Sequence, residues 1–393
     1  MSLRAAIAVV CFAVSVAACA GEMVTSQGAP RGVDNPAITA SPTTAPAIAT
    51  TTTTTTTTQP PTVSAGLAVV TEGGAPIFSE PGGTRDFVIH EGILLGFDSR
   101  EGNFLEVVTT CNDTAWVRAT DVNVIPKARR SVDSGQADLA KATIVVDPGH
   151  GSRDWGGVGP TGLTEKEVNL DVSRRLRDLL LTNHDVNWST GAIQDGTTVP
   201  AVNAVFLTRD PDGAFDGDYE LGLAYRSHIA NSAGADVFVS IHHNTVPTAD
   251  PDGPGSEIFY AWSVDDSDRL ASLIHQELLL SLSGFDVDWK GGLIRGARAR
   301  IDPETDTDYY GILRRANMPS VIVEGAYISE PEEEALLRTV EWRDAYAEAV
   351  YRGIVRFLTT PEFGEDVNEP EVFTSNAGTA STSSCVVPEQ PGS

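Results

Sequence analysis

The sequence predicts an α/β domain with a mostly parallel sheet flanked by helices, preceded by a small N-terminal all-β barrel domain. From Thr143 onwards, short apolar strands alternate with amphipathic helices, which is typical of a parallel sheet with crossover helices. Between residues 64 and 127, short alternating segments are separated by Gly, Pro, Asp and Asn, which indicates a small β-barrel. The 393 residues accommodate two such domains, at about 150 residues per domain.

Residues 1–20 are predicted to be a signal peptide, of the lipoprotein type. Arg4 precedes an apolar run over residues 5–18, which is too short to span a bilayer comfortably but suits an export signal. The run ends in Val16-Ala17-Ala18-Cys19, which resembles the lipobox of bacterial lipoproteins and implies a lipid anchor at Cys19. Ordinary cleavage after Ala20 and an uncleaved anchor are the alternatives. All three place the protein outside the cytoplasm, in the cell envelope.

Residues 21–63 and 64–127 differ sharply in composition. The first segment is rich in Thr, Pro, Ala and Ser, and we predict a disordered linker because it has too little apolar surface to bury. In the second, the order of the segments, with Trp116-Val117 near the end, resembles bacterial Src-homology-3-like domains. That resemblance implies a wall-binding or spacing module, and a purely structural β domain is the alternative. Residues 128–141 form a polar connector.

Residues 142–360 form the predicted catalytic domain, and its elements follow from periodicity. Strands are predicted at 143–147, 205–208, 236–241, 257–261 and 320–324. A capping box at Thr164 and Glu167 begins the first helix. Further helices are predicted at 219–233, about 265–282, from 329 onwards and at 342–358. The polar run between Gly292 and Tyr309, which contains Pro303, is predicted to be a loop, and residues 361–393 a disordered tail.

The composition excludes several classes of protein. The chain has 54 Asp and Glu against 27 Lys and Arg, and its formal charge of −27 disfavours nucleic-acid binding. The only long apolar stretch is at the N-terminus, which excludes a multi-span membrane protein. A serine hydrolase is disfavoured because the sequence lacks a GxSxG elbow. Outside the signal peptide and its cleavage region, Cys111 and Cys385 remain, so we expect a disulfide that ties the tail to the β domain; two free thiols are the alternative.

Polar residues follow the predicted strands at the edge where an open α/β sheet holds its site. His150 follows the first strand, Glu165 opens the first helix, His242 follows the central strand and Glu324 ends a late strand. Two imidazoles and a carboxylate can bind a catalytic Zn²⁺ and leave its fourth position for water. A second carboxylate can take the proton of that water. A lone histidine beside glycine is more often a turn residue, so these residues alone do not establish a metal site.

The order and the flanking residues of these motifs resemble the zinc-dependent N-acetylmuramoyl-L-alanine amidases of bacterial cell walls. The resemblance covers about residues 143–358, through segments 144–151, 162–170, 207–210, 235–244 and 318–324, together with Arg226 and Ala230-Asn231. It implies hydrolysis of the amide bond between N-acetylmuramic acid and L-alanine of peptidoglycan, with Zn²⁺ held by His150, Glu165 and His242 and with Glu324 as the catalytic residue. A zinc peptidase of the peptidoglycan stem and a non-catalytic wall-binding protein are the alternatives. The need for an activator protein is not evident from the sequence.

Residues beside these motifs have less definite roles. His243 follows His242 on the same strand, so its side chain is expected on the opposite face of the sheet, in a supporting role; a register in which it replaces His242 is the alternative. Asn244 is a candidate for binding the substrate or lying near the metal, with a turn role as the alternative. Arg209 and Arg226 are interpreted as structural ion-pair partners.

Three arginines stand out in an otherwise acidic chain. Arg295, Arg298 and Arg300 lie in the predicted loop that precedes the Glu324 strand. We hypothesise that they clamp carboxylates of the peptide stem, since guanidinium groups bind carboxylates in a bidentate manner. A solvated loop whose arginines pair with neighbouring acids is the alternative.

Overall fold

The computed structural model describes residues 63–129, 135–209, 221–245, 256–287, 294–373 and 385–390. The predicted signal peptide, the lipidation site Cys19 and nearly all of the linker lie outside these residues. Among the helices described, none is both long enough and apolar enough to cross a membrane.

The N-terminal part of the described chain is all-β. Its strands are β1 (Gly66–Val70), β2 (Ala75–Phe78), β3 (Arg85–Ile89), β4 (Leu94–Glu101), β5 (Phe104–Val108), β6 (Thr114–Arg118) and β7 (Val122–Pro126). They form one antiparallel sheet in the order β3-β2-β6-β5-β4-β1-β7. β3 shows little apolar alternation, because Arg85 and Asp86 at its start are exposed and polar. The kinship with Src-homology-3-like domains stays a prediction.

The remaining elements build the α/β part, which follows a short 3₁₀ turn at Leu139–Lys141. They are β8 (Thr143–Pro148), α1 (Glu165–Leu180), β9 (His184–Val186), β10 (Thr197–Val199), β11 (Ala204–Leu207), α2 (Leu223–Ala233), β12 (Val237–Asn244), β13 (Ser256–Tyr260), α3 (Ser267–Leu282), β14 (Ile294–Arg298), β15 (Arg300–Asp302), β16 (Thr307–Asp308), α4 (Gly311–Arg314), β17 (Ser320–Tyr327), α5 (Pro331–Leu337), α6 (Val340–Thr359) and β18 (Glu371–Val372). The central sheet has the order β11-β8-β12-β17-β13-β14. It is mixed, because β13 runs antiparallel to β17 while the other neighbouring strands pair in parallel.

The two faces of the central sheet pack against different partners. On one face, Val146, Val239 and Val323 belong to a core shared with α1, α3 and α6. On the other face, Phe238 and Ile322 belong to a core shared with α2 and with strands of the β domain. The alternation of side chains along each strand produces this division. The β domain thus packs against the central sheet through α2, and the β domain, α2 and the sheet share one apolar core.

Hydrogen bonds fix this junction between α2 and the β domain. The Tyr225 hydroxyl donates to the Leu94 carbonyl at 2.6 Å, and the backbone N–H of Gly222 donates to the Thr110 carbonyl at 2.7 Å. The disulfide expected between Cys111 and Cys385 is present, with its Cα atoms 5.7 Å apart. It ties the C-terminal tail to the β domain, as predicted.

Two sequence expectations are wrong. The segment between Gly292 and Tyr309 is not simply a loop, since it contains β14, β15 and β16. The tail is ordered at residues 361–373 and 385–390, where β18 pairs with β15. Both segments are held mainly by backbone hydrogen bonds at a sheet edge, which leave little trace in the apolar pattern. Residues 374–384 lie outside the described part of the tail.

Candidate metal centre

His150 lies in the turn that follows β8, and its backbone is left-handed, with φ at 62°. Its Nδ1 lies 2.8 Å from Oδ2 of Asp154, a carboxylate, so Nδ1 carries the proton and donates it. The other ring nitrogen, Nε2, lies 3.1 Å from Oε2 of Glu165. Asp154 therefore orients the ring and leaves the lone pair of Nε2 on His150 available to bind a metal ion.

A buried ion pair supports this turn from behind. Asp147 is fully buried, and its carboxylate accepts hydrogen bonds from Arg226 at 2.7 Å, from Ser240 at 2.6 Å and from Thr208. Burial alone would raise the pKa of Asp147, but Arg226 and the two hydroxyls outweigh it and hold the pKa below its usual value. Arg226 also donates to the His150 carbonyl at 2.6 Å. The pair thus fixes the backbone that carries His150.

Both arginines assigned structural roles contact this turn. The ion pair predicted for Arg226 is confirmed by its contact with Asp147. Arg209 donates to the carbonyls of Pro148 and Gly149, at 2.9 and 3.3 Å. The Arg209 side chain therefore holds the same turn by binding the backbone carbonyls of that turn.

Glu165 is the first residue of α1 and stands between the two histidines. Its Oε2 faces His150, and its Oε1 lies 3.0 Å from Nδ1 of His242. The backbone N–H groups of Gly157 and His243 donate to the same carboxylate, at 2.7 and 3.0 Å. Burial would raise its pKa, but the two histidines hold the pKa of Glu165 well below the usual value. The side chain is therefore ionised, although it is only 3% exposed.

Together, these three side chains form a cluster that fits a single cation. One ligand atom from each of His150, Glu165 and His242 lies within 4.8 Å of the others. The close approach depends on Gly149, because a Cβ at that position would lie 2.3 Å from atoms of the His242 ring. Two imidazole nitrogens and one carboxylate oxygen are the donor set of a catalytic zinc site that keeps one position open.

His243 points away from this cluster, as the alternation along β12 predicted. It is 2% exposed, and its Nδ1 donates to Oδ1 of Asn169 at 2.7 Å. Burial lowers the pKa of His243 to about 3, so its ring is neutral. Asn169 in turn donates to the Gly149 carbonyl at 3.1 Å and to Glu165 at 3.3 Å. His243 therefore supports the cluster of His150, Glu165 and His242 from the opposite face of the sheet.

Glu324 lies on β17, directly beside His242 on β12 in the register of the parallel pair. Its Oε2 is buried and has no hydrogen-bond partner among the described residues. Burial, together with the negative charges of Glu165 and Glu257, raises the pKa of Glu324 well above the usual value. A carboxyl group with a raised pKa and a free oxygen is suited to taking up and releasing a proton.

Asn244 is engaged beside the cluster. Its Nδ2 donates to Oε2 of Glu257 at 3.1 Å and lies 3.2 Å from the Tyr327 hydroxyl. Glu257 is 2% exposed and stands opposite Glu324 in the antiparallel pair of β13 and β17. These contacts place Asn244 and Glu257 in the wall of the site.

The three arginines of the proposed clamp lie on strands rather than on a loop. Arg298 forms an ion pair with Glu257, and Arg300 donates to the Tyr310 hydroxyl at 2.6 Å. Arg295 belongs to β14, but its side chain lies outside the described part of the chain. The alternative was that these arginines pair with acids, and such pairs are present for Arg298, with Glu257, and for Arg300, with Glu371.

Sequence reasoning missed three residues that shape the site, namely Asp154, Asn169 and Glu257. Asn169 stands four residues after Glu165, so the helical period places both side chains on one face of α1. That spacing was a signal that could have identified it. Asp154 and Glu257 gave no comparable signal, because their roles depend on a tight turn and on an antiparallel pairing that only the fold defines.

Comparison with known proteins gives the family. The family model described as N-acetylmuramoyl-L-alanine amidase matches residues 144–356. N-acetylmuramoyl-L-alanine amidase LytC of Bacillus subtilis is 32% identical over 217 residues, which cover 55% of this chain but only 35% of that relative. N-acetylmuramoyl-L-alanine amidase AmiA of Escherichia coli is 28% identical over 263 residues, which cover 59% of this chain and 79% of that relative.

Solved structures are also similar to part of the chain. N-acetylmuramoyl-L-alanine amidase AmiC2 of Nostoc punctiforme has 29% identity and a TM-score of 0.40, and the match covers 56% of this chain and 99% of that chain. Because the family match spans more than half of the sequence and contains all four residues of the site, the chain belongs to the N-acetylmuramoyl-L-alanine amidase family.

Proposed function

We propose that this protein is a zinc-dependent hydrolase that cleaves the amide bond between N-acetylmuramic acid and L-alanine in peptidoglycan. The observation that carries the proposal is the cluster of His150, Glu165 and His242, whose ligand atoms lie within 4.8 Å of one another. Glu324, on the strand next to His242, supplies the proton-transfer group that such a reaction needs. Membership of the amidase family gives the bond that is cleaved.

His150, Glu165 and His242 would hold the zinc ion. When bound, the ion supplies a Lewis acid that lowers the pKa of water and polarises the carbonyl of the substrate. Asp154 keeps the proton of His150 on Nδ1, so that Nε2 is available as a ligand. The backbone N–H groups that donate to Glu165 keep its carboxylate charged and fixed.

Glu324 would act as general base and then as general acid. It accepts a proton from the attacking water, whose oxygen forms the new bond to the carbonyl carbon of the lactyl group. The carbon–nitrogen bond then breaks, and Glu324 delivers the proton to the departing nitrogen of L-alanine. Burial and the neighbouring carboxylates raise the pKa of Glu324, which increases its affinity for the proton that it exchanges.

The domains outside the catalytic part would deliver the enzyme to its polymer. We place it outside the cytoplasm, in the cell envelope, attached through a lipid at Cys19 and extended by the linker of residues 21–63. The β domain, residues 64–127, would bind the wall or act as a spacer, and the connector would lead to the catalytic domain at residues 142–360. Arg298 and Arg300 would meet carboxylates of the stem peptide, with Asn244 positioned beside them through Glu257.

The test is digestion of purified cell walls by the wild type, by Glu324→Gln and by the wild type with a chelator. We expect new N-terminal alanine with the wild type only, and a loss of about 10²- to 10⁴-fold in the Glu324→Gln variant, as for removal of a general base. Glu341→Gln, an exposed acid on α6, is the matched control and should keep full activity.

Each other outcome identifies an alternative. New N-termini other than alanine would indicate a peptidase of the stem. Binding to the wall without any cleavage would indicate a non-catalytic protein. Full activity of Glu324→Gln would contradict the role given to this residue.

A further inference from the structure

Arg298, on β14, lies on the same face of the central sheet as Glu324, and Arg300, on the separate strand β15, contacts a side chain of that face. In the pairing of β13 with β17, Glu257 stands opposite Glu324 and Phe259 opposite Ile322. Side chains two residues apart on a strand share a face, so Phe259 lies on the face of Glu324. The guanidinium groups of Arg300 and Arg298 lie 4.5 and 5.3 Å from the centre of the Phe259 ring. Both cations therefore lie beside the site, on the side toward which Glu324 points.

Two carboxylates, Glu257 and Glu371, form ion pairs with Arg298 and Arg300. Glu257, only 2% exposed, pairs with Arg298 from inside the protein. Glu371 meets the pair from outside, because its Oε2 lies 3.7 Å from Nη1 of Arg298 and 3.4 Å from Nε of Arg300. The Glu371 side chain is 45% exposed, whereas those of Arg298 and Arg300 are 15% and 19% exposed. Glu257 is thus buried inside the protein, whereas Glu371 lies at its surface.

Glu371 reaches the pair as part of the C-terminal tail. Its backbone N–H donates to the Ala299 carbonyl at 2.9 Å, and that of Phe373 donates to the Ile301 carbonyl at the same distance. The Phe373 ring also contacts Arg300, with its centre 4.2 Å from the guanidinium. The strand involved, β18, has only two residues. The tail therefore brings a carboxylate to a preformed cationic site through a short edge contact.

Arg298 and Arg300 can still donate a hydrogen bond to a further acceptor. Nε of Arg298 is buried and has no hydrogen-bond partner among the described residues. Arg300 contacts the rings of Phe259 and Phe373, at 4.5 and 4.2 Å from their centres, and donates to the Tyr310 hydroxyl at 2.6 Å. Guanidinium groups fixed in this way lose little entropy when they bind a carboxylate.

We propose that Arg298 and Arg300 form a subsite for a carboxylate of the substrate's peptide stem, and that Glu371 occupies this subsite in the free enzyme. The inference rests on the proposed function, since it names the part of the substrate that this face receives. Arg298 lies two strands away from Glu324 in the sheet and is offset from it by two residues along the strand. The two Cα atoms are therefore about 12 Å apart. A stem of three to four extended residues spans about 10–14 Å, so its carboxylates reach the pair when its first amide is at Glu324.

The test compares Glu371→Gln with Glu369→Gln, an exposed acid of the same tail. The probes are a synthetic stem tetrapeptide with free carboxylates and the same peptide with its carboxylates amidated, titrated by calorimetry into the full chain. We expect Glu371→Gln to bind the free-carboxylate peptide about two- to fivefold more tightly than the wild type, since an exposed ion pair has a strength of this order. Binding of the amidated peptide, and both affinities of Glu369→Gln, should not change.

Kinetics supply a second readout. With muropeptides that carry free carboxylates, Glu371→Gln should lower KM by the same factor and leave kcat unchanged. Equal changes for the two peptides, or no change for either, would overturn the subsite. If the wild type releases no N-terminal alanine from walls, the proposed function fails, whereas the binding comparison still decides whether Glu371 competes with a carboxylate.

Discussion

Replacement of Arg226 by methionine tests the buried ion pair behind the His150 turn. Methionine fills much of the same space but leaves Asp147, which is 0% exposed, without its cation. It also removes donors to the carbonyls of Pro148 and His150, at 3.0 and 2.6 Å. Removal of one partner from a buried pair costs about 3–5 kcal/mol, because a buried charge is left uncompensated. We expect the free energy of unfolding at neutral pH to fall by that amount.

The loss should depend on pH in a direction that follows from Asp147. In the wild type the folded-state pKa of Asp147 is lowered, so its contribution to stability is present above its ordinary value of 3.8 and is lost as the pH falls through the folded pKa. Without Arg226, burial dominates and raises the pKa of this carboxyl group above 3.8. The loss of stability in the variant therefore becomes smaller when Asp147 is protonated in acid. The difference between the two proteins is largest at neutral pH and shrinks as the pH falls toward 4 and below.

Urea unfolding over this pH range measures the effect. Arg315→Met is the matched control, since Arg315 is exposed and its Nη1 donates to the Gly311 carbonyl. Surface substitutions of this kind change stability by about 0.5 kcal/mol or less. A loss of less than about 1 kcal/mol in Arg226→Met, or a difference independent of pH, would refute the reasoning.

Three further predictions concern the site and the tail. Asp154→Asn should weaken zinc binding about 10- to 100-fold in a chelator competition, because the partner that orients His150 loses its charge; unchanged affinity would show that Asp154 is dispensable. Gly149→Ala should lose zinc and activity, because the added Cβ would meet the His242 ring, whereas Gly284→Ala, with open space around it, should retain both. Reduction of the disulfide that joins the tail to the β domain should cost about 2–5 kcal/mol in urea unfolding; equal stability with and without reductant would contradict its structural role.

The sequence pointed to the cluster of His150, Glu165 and His242 because these residues stand beside strongly patterned elements. His150 follows the buried apolar strand β8, His242 lies near the end of the buried strand β12, and Glu165 opens a helix with a clear capping box. Strand ends and helix starts are local properties, so periodicity can place them. The pairing of the two cysteines was also within reach, because outside the signal peptide and its cleavage region only two cysteines remain.

The surroundings of Arg298 and Arg300 could not be predicted in the same way. Their strands are short: β14 is the edge strand next to β13, and β15 lies between β16 and β18 of the tail. Backbone hydrogen bonds are available to almost any residue, so a polar run with a proline gives no sign of them. The approach of Glu371, 71 residues after Arg300, depends on that edge and on the return of the chain after α6.

The central claim is that His150, Glu165 and His242 bind one zinc ion and that Glu324 acts on the substrate without holding the metal. Calorimetric titration of the metal-free chain with Zn²⁺ tests it most directly, with His150→Ala and Glu324→Gln measured in parallel. We predict one equivalent bound by the wild type and by Glu324→Gln, and loss of that equivalent in His150→Ala. Full binding by His150→Ala, or no stoichiometric binding by the wild type, would contradict the assignment.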